Sequence, residues 1–304
     1  MNMSEIILEL KDVSKKFGRN QVLDRVNLTI RKGDIYGLIG RNGAGKTTLM
    51  KIITDLIRVT SGEIFLLSNR TYHKNLERVG AIIENPVAYL NLSAYQNLKI
   101  LCMQKGIHDF SVIEEALHFV NLTDTGKKKF KNFSLGMKQR LGLAMALLNN
   151  PDFLILDEPI NGLDPIAIIE FREILERINR EKNTTILISS HILSELYQVS
   201  NRFGFIHNGK LIEEITKKEL DEKCSSTVII KTNQIDELSV LLEKMQLQFK
   251  IPTDKQAQIK DNTIDVAALN QRIFESGILI DEIRRNDENL EEYYTNLVMK
   301  VEEK

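Results

Sequence analysis

An apolar run, Ile35-Tyr36-Gly37-Leu38-Ile39, leads directly into Gly40-Arg41-Asn42-Gly43-Ala44-Gly45-Lys46-Thr47, and a helical pattern opens near Thr48. Nothing else in the chain limits its fold as strongly. A buried strand, a loop spaced as G-x-x-x-x-G-K-[ST] and a helix start are the parts of a phosphate cradle built on a parallel sheet. Glycines let backbone N–H groups close on phosphate oxygens with no Cβ in the way. The helix start adds partial positive charge, Lys46 supplies a cation and Thr47 offers a hydroxyl to Mg²⁺. The expected phosphate-binding positions are therefore Gly40, Arg41, Asn42, Gly43, Ala44, Gly45, Lys46, Thr47 and Thr48.

A second apolar run, Phe153-Leu154-Ile155-Leu156, ends in Asp157-Glu158 and is stopped by Pro159, which cannot continue a strand ladder. Neighbouring side chains on a strand point opposite ways, so two adjacent acids can do two jobs. Asp157 is assigned to the water shell of Mg²⁺ and Glu158 to polarising an attacking water.

Around these motifs the chain reads as α/β. Ile6 to Leu10 and Val22 to Ile30 have strand periodicity. Helical spacing follows at Asn97, Leu98, Ile100, Leu101 and Met103, and again at Val112, Ile113, Ala116, Leu117 and Val120. A helix from about Ile166 to Asn179 lies between the runs Phe153–Leu156 and Thr185–Ser189, the βαβ rhythm of a parallel sheet. After about Lys217 a smaller pattern begins: strand Thr227–Lys231, helix Ile235–Met245, helix Ile264–Glu275, strand Ile278–Ile283 and helix Leu290–Val298. The expected organisation is a main domain over residues 1–217, with a helical part at about 85–149, and a small α/β accessory domain over 218–304.

Composition removes other classes. With 41 basic and 42 acidic side chains in 304 residues the net charge is −1, so neither a nucleic-acid polycation nor an acidic tail is present, and 42% hydrophobic residues suffice for a sizeable core. The stretch Leu141–Leu148 falls well short of the roughly 18 apolar residues that span a bilayer. Residues Met1–Lys11 lack the pattern of a signal peptide, and Cys102 and Cys224 are far apart, which fits ordinary thiols in a reducing compartment. His73, His108, His118 and His207 show no ligand spacing and read as surface or core residues.

From about Ile7 to Glu214 the chain resembles the nucleotide-binding subunits of ATP-binding cassette (ABC) transporters. Besides the two motifs above, Phe133-Ser134-Leu135-Gly136-Met137-Lys138-Gln139-Arg140 resembles the cassette signature, Asn161-Gly162-Leu163-Asp164 the loop after the acidic strand, and His191 the switch histidine. The resemblance implies a P-loop NTPase with a RecA-like core, an antiparallel β subdomain and a helical subdomain. It also implies ATP and Mg²⁺ as cofactors and two copies closing head to tail. In such a pair Ser134 and the Gly136 amide of one copy would meet the γ-phosphate held by Lys46 of the other. Asp164 would tie the two sites across the seam, and a turn or helix-cap role for it is compatible with that. His191 would hold the γ-phosphate, the water and Glu158 in place. Phe17 stands where the family stacks an aromatic ring on adenine; a lone Phe is more often core, but its place before Val22 and the phosphate loop favours stacking. The run Lys127–Lys131 reads as a solvated face, with lipid headgroups or the permease as the other reading.

Where the family usually places Gln, this chain has Glu84, which still offers Mg²⁺ a hard oxygen but adds negative charge beside the triphosphate. Glu84, Leu135, Met137 and the tail Asn289-Leu290-Glu291-Glu292-Tyr293-Tyr294 resemble the subgroup serving bacitracin resistance and lantibiotic self-protection. What this implies is an ATP-hydrolysing subunit on the inner, cytoplasmic face of the membrane, powering a separate multispanning permease that exports a peptide antibiotic, with no nucleic-acid partner. The competing reading is a soluble cassette ATPase acting on ribosomes or nucleic acid. Against it stand a single phosphate loop and no sustained heptads between Lys46 and Asp157.

Overall fold

The computed structural model describes residues 5–69, 72–224, 227–260, 264–286 and 290–302, and these fall into two compact units dividing between Lys217 and Lys218. Asn289 of the tail motif lies outside the described residues.

In the first unit, alternating apolar positions make a long hairpin of β1 (Ile6–Phe17) and β2 (Asn20–Arg31), paired antiparallel from Leu8 opposite Ile30 to Phe17 opposite Asn20. Leu8, Leu10 and Val13 of β1 and Leu23, Val26 and Leu28 of β2 are buried in the main core. After β3 (Ile35–Ile39) and α1 (Lys46–Ile53), β4 (Ser61–Leu66) joins the other edge of β1, giving the three-stranded order β2-β1-β4.

The remaining elements of this unit are β5 (Val79–Ile82), α2 (Ala94–Gln104), α3 (Ser111–Phe119), α4 (Leu135–Leu147), β6 (Phe153–Leu156), α5 (Pro165–Lys182), β7 (Thr185–Ser190), α6 (Leu193–Tyr197), β8 (Arg202–His207) and β9 (Lys210–Thr216). Six strands form one sheet in the order β5-β6-β7-β3-β8-β9, parallel throughout except for the antiparallel edge strand β9. Every residue of β3, β6 and β7 is buried, which is why β3, β6 and the centre of β7 read as apolar runs: a parallel strand covered on both faces has no solvent side. Ser189 lies opposite Leu38, and Leu156 opposite Ile188, so the carboxyl ends of β6, β7 and β3 stand side by side. In open α/β sheets that is where ligands bind.

Helix boundaries have local causes. Ser93 and Gln96 form a reciprocal capping box at the start of α2. Asp164 caps α5 by accepting from the Ala167 amide at 2.9 Å, Pro165 supplies the first turn, and Asn183 ends the helix at φ 52°. The amides of Phe130 and Lys131 donate to the carbonyls of Leu92 (2.9 Å) and Leu90 (3.0 Å), tying the chain before α2 to the chain before α4.

The second unit begins with α7 (Lys217–Lys223) continuing past the division. It then runs β10 (Thr227–Lys231), α8 (Ile235–Lys244), β11 (Phe249–Thr253), β12 (Gln256–Lys260), α9 (Val266–Glu275), β13 (Glu282–Asn286) and α10 (Leu290–Glu302). The sheet order β11-β12-β10-β13 with antiparallel neighbours is the split βαββαβ arrangement. Val228, Ile230, Ala257 and Ile259 meet Leu238, Leu242, Leu269 and Ile273 in its core.

Two expectations change here. The last strand is Glu282–Asn286 rather than Ile278–Ile283, because Ile278 enters the core from the preceding turn, only 5% exposed. The hairpin of β11 and β12 has no counterpart in the sequence reading. Its polar residues conceal the alternation, and Pro252 sits in β11, at the edge of the sheet where a missing donor is tolerated.

Candidate nucleotide site

The loop after β3 turns sharply at Gly43 (φ 82°) and Gly45 (φ 108°), and α1 starts at Lys46. The amides of the first turn therefore lack intrahelical acceptors and are available to an anion. A cavity of about 220 Å³ lies there, bordered by Val22, Asn42, Gly43, Gly45, Lys46, Thr47, Thr48 and Glu158. Asn42 on its border is exposed, as is Arg41 before it, and Ala44 is buried. The Lys46 ammonium, 4% exposed, donates to the carbonyls of Gly40 (2.6 Å) and Arg41 (3.3 Å) and lies 3.0 Å from Glu158 Oε1.

The end of β6 faces this loop. The Thr47 hydroxyl donates to Asp157 Oδ2 at 2.7 Å, and the Ser189 hydroxyl donates to Asp157 Oδ1 at 2.8 Å. Glu158 takes up φ 45°, its amide donates to Ser189 Oγ at 2.9 Å, and its Oε2 lies 3.1 Å from His191 Nδ1 and 3.4 Å from Asn161 Nδ2. A carboxylate only accepts, so the His191 contact calls for the proton on Nδ1, leaving Nε2 for another partner. Lys46, Thr47, Asp157, Glu158 and His191 are thus gathered in one crevice. Ser189 completes the group although it was not singled out in the sequence. The signal available was a polar residue at the carboxyl end of an otherwise apolar parallel strand.

Glu84 does not join this group. The sequence assigns it to the metal with Thr47 and Asp157, but its Oε1 lies 2.6 Å from Lys51 Nζ, with its side chain 62% exposed. The chain turns at Glu84 (φ 64°) just past β5, and Lys51 on α1 meets the carboxylate. Phe17, at the end of β1, is 49% exposed, and Lys15 Nζ lies 4.7 Å from its ring centre.

Ser134 and Asp164 sit on the surface as helix caps: Ser134 Oγ accepts from the Met137 amide at 3.3 Å at the start of α4. Their two loops pack together. A Cβ on Gly136 would lie 3.2 Å from the Ala167 Cβ, and one on Gly162 would lie 3.4 Å from Leu135 Cδ2. Of the basic run, Lys127, Lys128, Lys129 and Lys131 are exposed while Phe130 is buried.

A phosphate loop, an acidic strand end and a histidine at the ends of adjacent parallel strands define a nucleoside-triphosphate hydrolase. Comparison with known proteins narrows the class. The sequence pattern of the ABC transporter family matches residues 23–161. The bacitracin transport ATP-binding protein BcrA of Enterococcus faecalis is 40% identical over 304 residues, covering 98% of each chain. The lantibiotic transport ATP-binding protein SrtF of Streptococcus pyogenes is 48% identical over 215 residues, covering 71% of this chain and 92% of its own. Among solved structures, the dimeric post-hydrolysis state of the ATP-binding cassette MJ0796 bound to ADP and Pi matches with a TM-score of 0.62 at 25% identity. That match covers 69% of this chain and 98% of the cassette. The chain belongs to the ATP-binding subunits of ABC transporters, has the fold of their nucleotide-binding domain, and is an ATPase.

Proposed function

We propose that two copies of this chain bind Mg²⁺–ATP between them and drive a separate multispanning permease that exports a peptide antibiotic of the bacitracin or lantibiotic kind, giving resistance or self-protection. The carrying observation is the similarity to BcrA along 98% of the chain, which includes the second unit as well as the first. In this reading residues 1–217 perform the ATP chemistry and 218–304 form an accessory domain. The protein then works at the inner face of the membrane through its permease. Among the described residues no helix is long and apolar enough to cross a membrane.

Each step has a candidate residue. The loop from Gly40 to Thr48 holds the phosphates, with Lys46 as the cation, and Phe17 stacks on adenine. Thr47 and Asp157 bring two hard oxygens to one point, 2.7 Å apart. That donor pair fits Mg²⁺, which keeps several waters and takes the rest of its ligands from nucleotide phosphates. The metal would neutralise charge on the phosphate oxygens. Glu158 polarises the water, and His191 holds Glu158 and the γ-phosphate. Ser134 and Gly136, at the start of α4, face the nucleotide of the second copy, and Asp164 lies along the seam.

Docking of the permease is supported by a groove of about 460 Å³ beside β5, bordered by Leu56, Ile83, Pro86, Val87, Leu101 and Met145. Val87 on its border, and Tyr89 and Leu90 just after it in the chain, are strongly exposed. An apolar cytoplasmic segment of the permease suits this surface.

The test is deletion of the gene followed by challenge with bacitracin and with lantibiotic peptides. Heightened sensitivity is expected, and unchanged sensitivity to all of them rejects the export reading. Purification of the subunit from membranes should bring down a multispanning apolar protein; ribosomes or nucleic acid in its place point to the soluble alternative.

A further inference from the structure

We propose that Ser189 is a positioning residue of the ATPase centre: its buried hydroxyl locks the end of β6 so that Glu158 faces the crevice. The inference rests on the reading of Glu158 as the group that polarises the water.

The Asp157 amide still belongs to the sheet, donating to the Ile82 carbonyl at 2.9 Å. One residue later the backbone has left the ladder, with Glu158 at φ 45°. A non-glycine residue stays in that region only where its surroundings over-determine it. Here one determinant on the backbone side is the Ser189 hydroxyl, which accepts from the Glu158 amide at 2.9 Å and gives its single proton to Asp157 Oδ1 at 2.8 Å. An ionised carboxylate has no proton to return, so the direction of this relay is fixed: Glu158 amide to Ser189 oxygen, Ser189 hydroxyl to Asp157. The second Asp157 oxygen accepts from Thr47. One side chain, fully buried on the neighbouring strand β7, therefore sets both carboxylates against each other and against the phosphate loop.

Without the hydroxyl, the Glu158 amide loses its acceptor and the residue can relax toward negative φ. The carboxylate then swings off Lys46 and His191, whereas the Lys46 ammonium stays anchored on the carbonyls of Gly40 and Arg41. Chemistry should suffer and nucleotide binding should not.

Ser189→Thr keeps the hydroxyl, and Ser189→Val has the shape of threonine without it, so the pair separates hydrogen bonding from packing. In steady-state assays, S189A and S189V are expected to lose about 10- to 100-fold in kcat, the scale of a misplaced catalytic group. KM for ATP should stay within about twofold, and S189T should keep kcat within about threefold of the parent. Binding of a fluorescent ATP analogue without Mg²⁺ should be no weaker in the three variants than in the parent. The inference is overturned if S189V turns over as fast as S189T, or if the loss falls on KM with kcat intact. Glu158→Gln is run alongside. Should E158Q keep its turnover, the reading of Glu158 itself fails; should E158Q be inactive while S189A and S189V are normal, only the role of Ser189 fails.

Discussion

Glu158 Oε1 lies 3.0 Å from Lys46 Nζ, so the carboxylate assigned to the water also neutralises the cation assigned to the phosphates. Incoming ATP has to replace that contact. The carbonyls of Gly40 and Arg41 keep the ammonium in place while it does so.

Glu158→Gln removes the competing charge as well as the base. Turnover should fall by about 10²- to 10⁴-fold, the usual worth of a positioned acid or base. Affinity for ATP should be unchanged or tighter. An ATP-dependent dimer should accumulate, visible by size-exclusion chromatography. Near-normal turnover would reject the role given to Glu158.

Glycines 43 and 45 both have positive φ, but they differ in surroundings. A Cβ at Gly43 meets nothing within 4 Å, whereas at Gly45 (φ 108°) it would lie 2.7 Å from Leu23 Cδ2 and 3.2 Å from the Val22 carbonyl. Gly43→Ala should therefore cost only the conformational penalty of a left-handed residue, about 1–2 kcal/mol. Gly45→Ala should lower the thermal midpoint further and weaken ATP binding, since β2 and the start of α1 must move apart. Equal midpoints for the two variants would contradict this difference.

The Lys51–Glu84 pair is mostly solvent-exposed, so Lys51→Ala should change urea-unfolding stability by less than about 1 kcal/mol. Its chemical effect is the informative one. If Glu84 reaches the metal once nucleotide is bound, removing its competitor lowers the Mg²⁺ concentration needed for half-maximal turnover. An unchanged Mg²⁺ titration excludes Glu84 as a ligand.

Burial, with the Glu214 carboxylate beside it, pushes the Tyr36 hydroxyl well above its ordinary 10.0, and that hydroxyl donates to Glu214 Oε1 at 2.8 Å. Tyr36→Phe leaves the acceptor without this donor and should cost about 1–3 kcal/mol near neutral pH. A raised folded pKa contributes stability that is complete below the unfolded value and lost as pH climbs toward the folded one. The gap between Y36F and the parent in urea unfolding should consequently narrow above about pH 10. A gap that widens there contradicts the assignment.

Some of this architecture is written plainly in the residues. Ile35–Ile39 and Phe153–Leu156 are buried on both faces, so composition alone marks them as strands, and the glycines at 40, 43 and 45 punctuate the loop between strand and helix. Other parts depend on pairings that no local pattern encodes. The last strand, expected over Ile278–Ile283, runs on to Asn286 because its residues pair with β10, where Lys231 meets Glu282 at 2.6 Å. Ser189 looks like one more strand residue until β6 is placed next to β7. Glu84 is read as a metal ligand from its place in the chain, and its pairing with Lys51 at 2.6 Å is a contact that only proximity in space reveals.

The two hydrogen bonds from Phe130 and Lys131 to Leu92 and Leu90 have a mechanical meaning. A single tether between two strands of chain can pull, but it leaves the pulled piece free to swivel. Two parallel tethers carry torque. The segment they hold runs through the tilted ring pair Phe130–Phe133, with centres 5.8 Å apart, straight into Ser134. A displacement of the chain around Leu90 would therefore turn Ser134 as well as shift it, so the angle of the first turn of α4 follows from the same two bonds that fix its position.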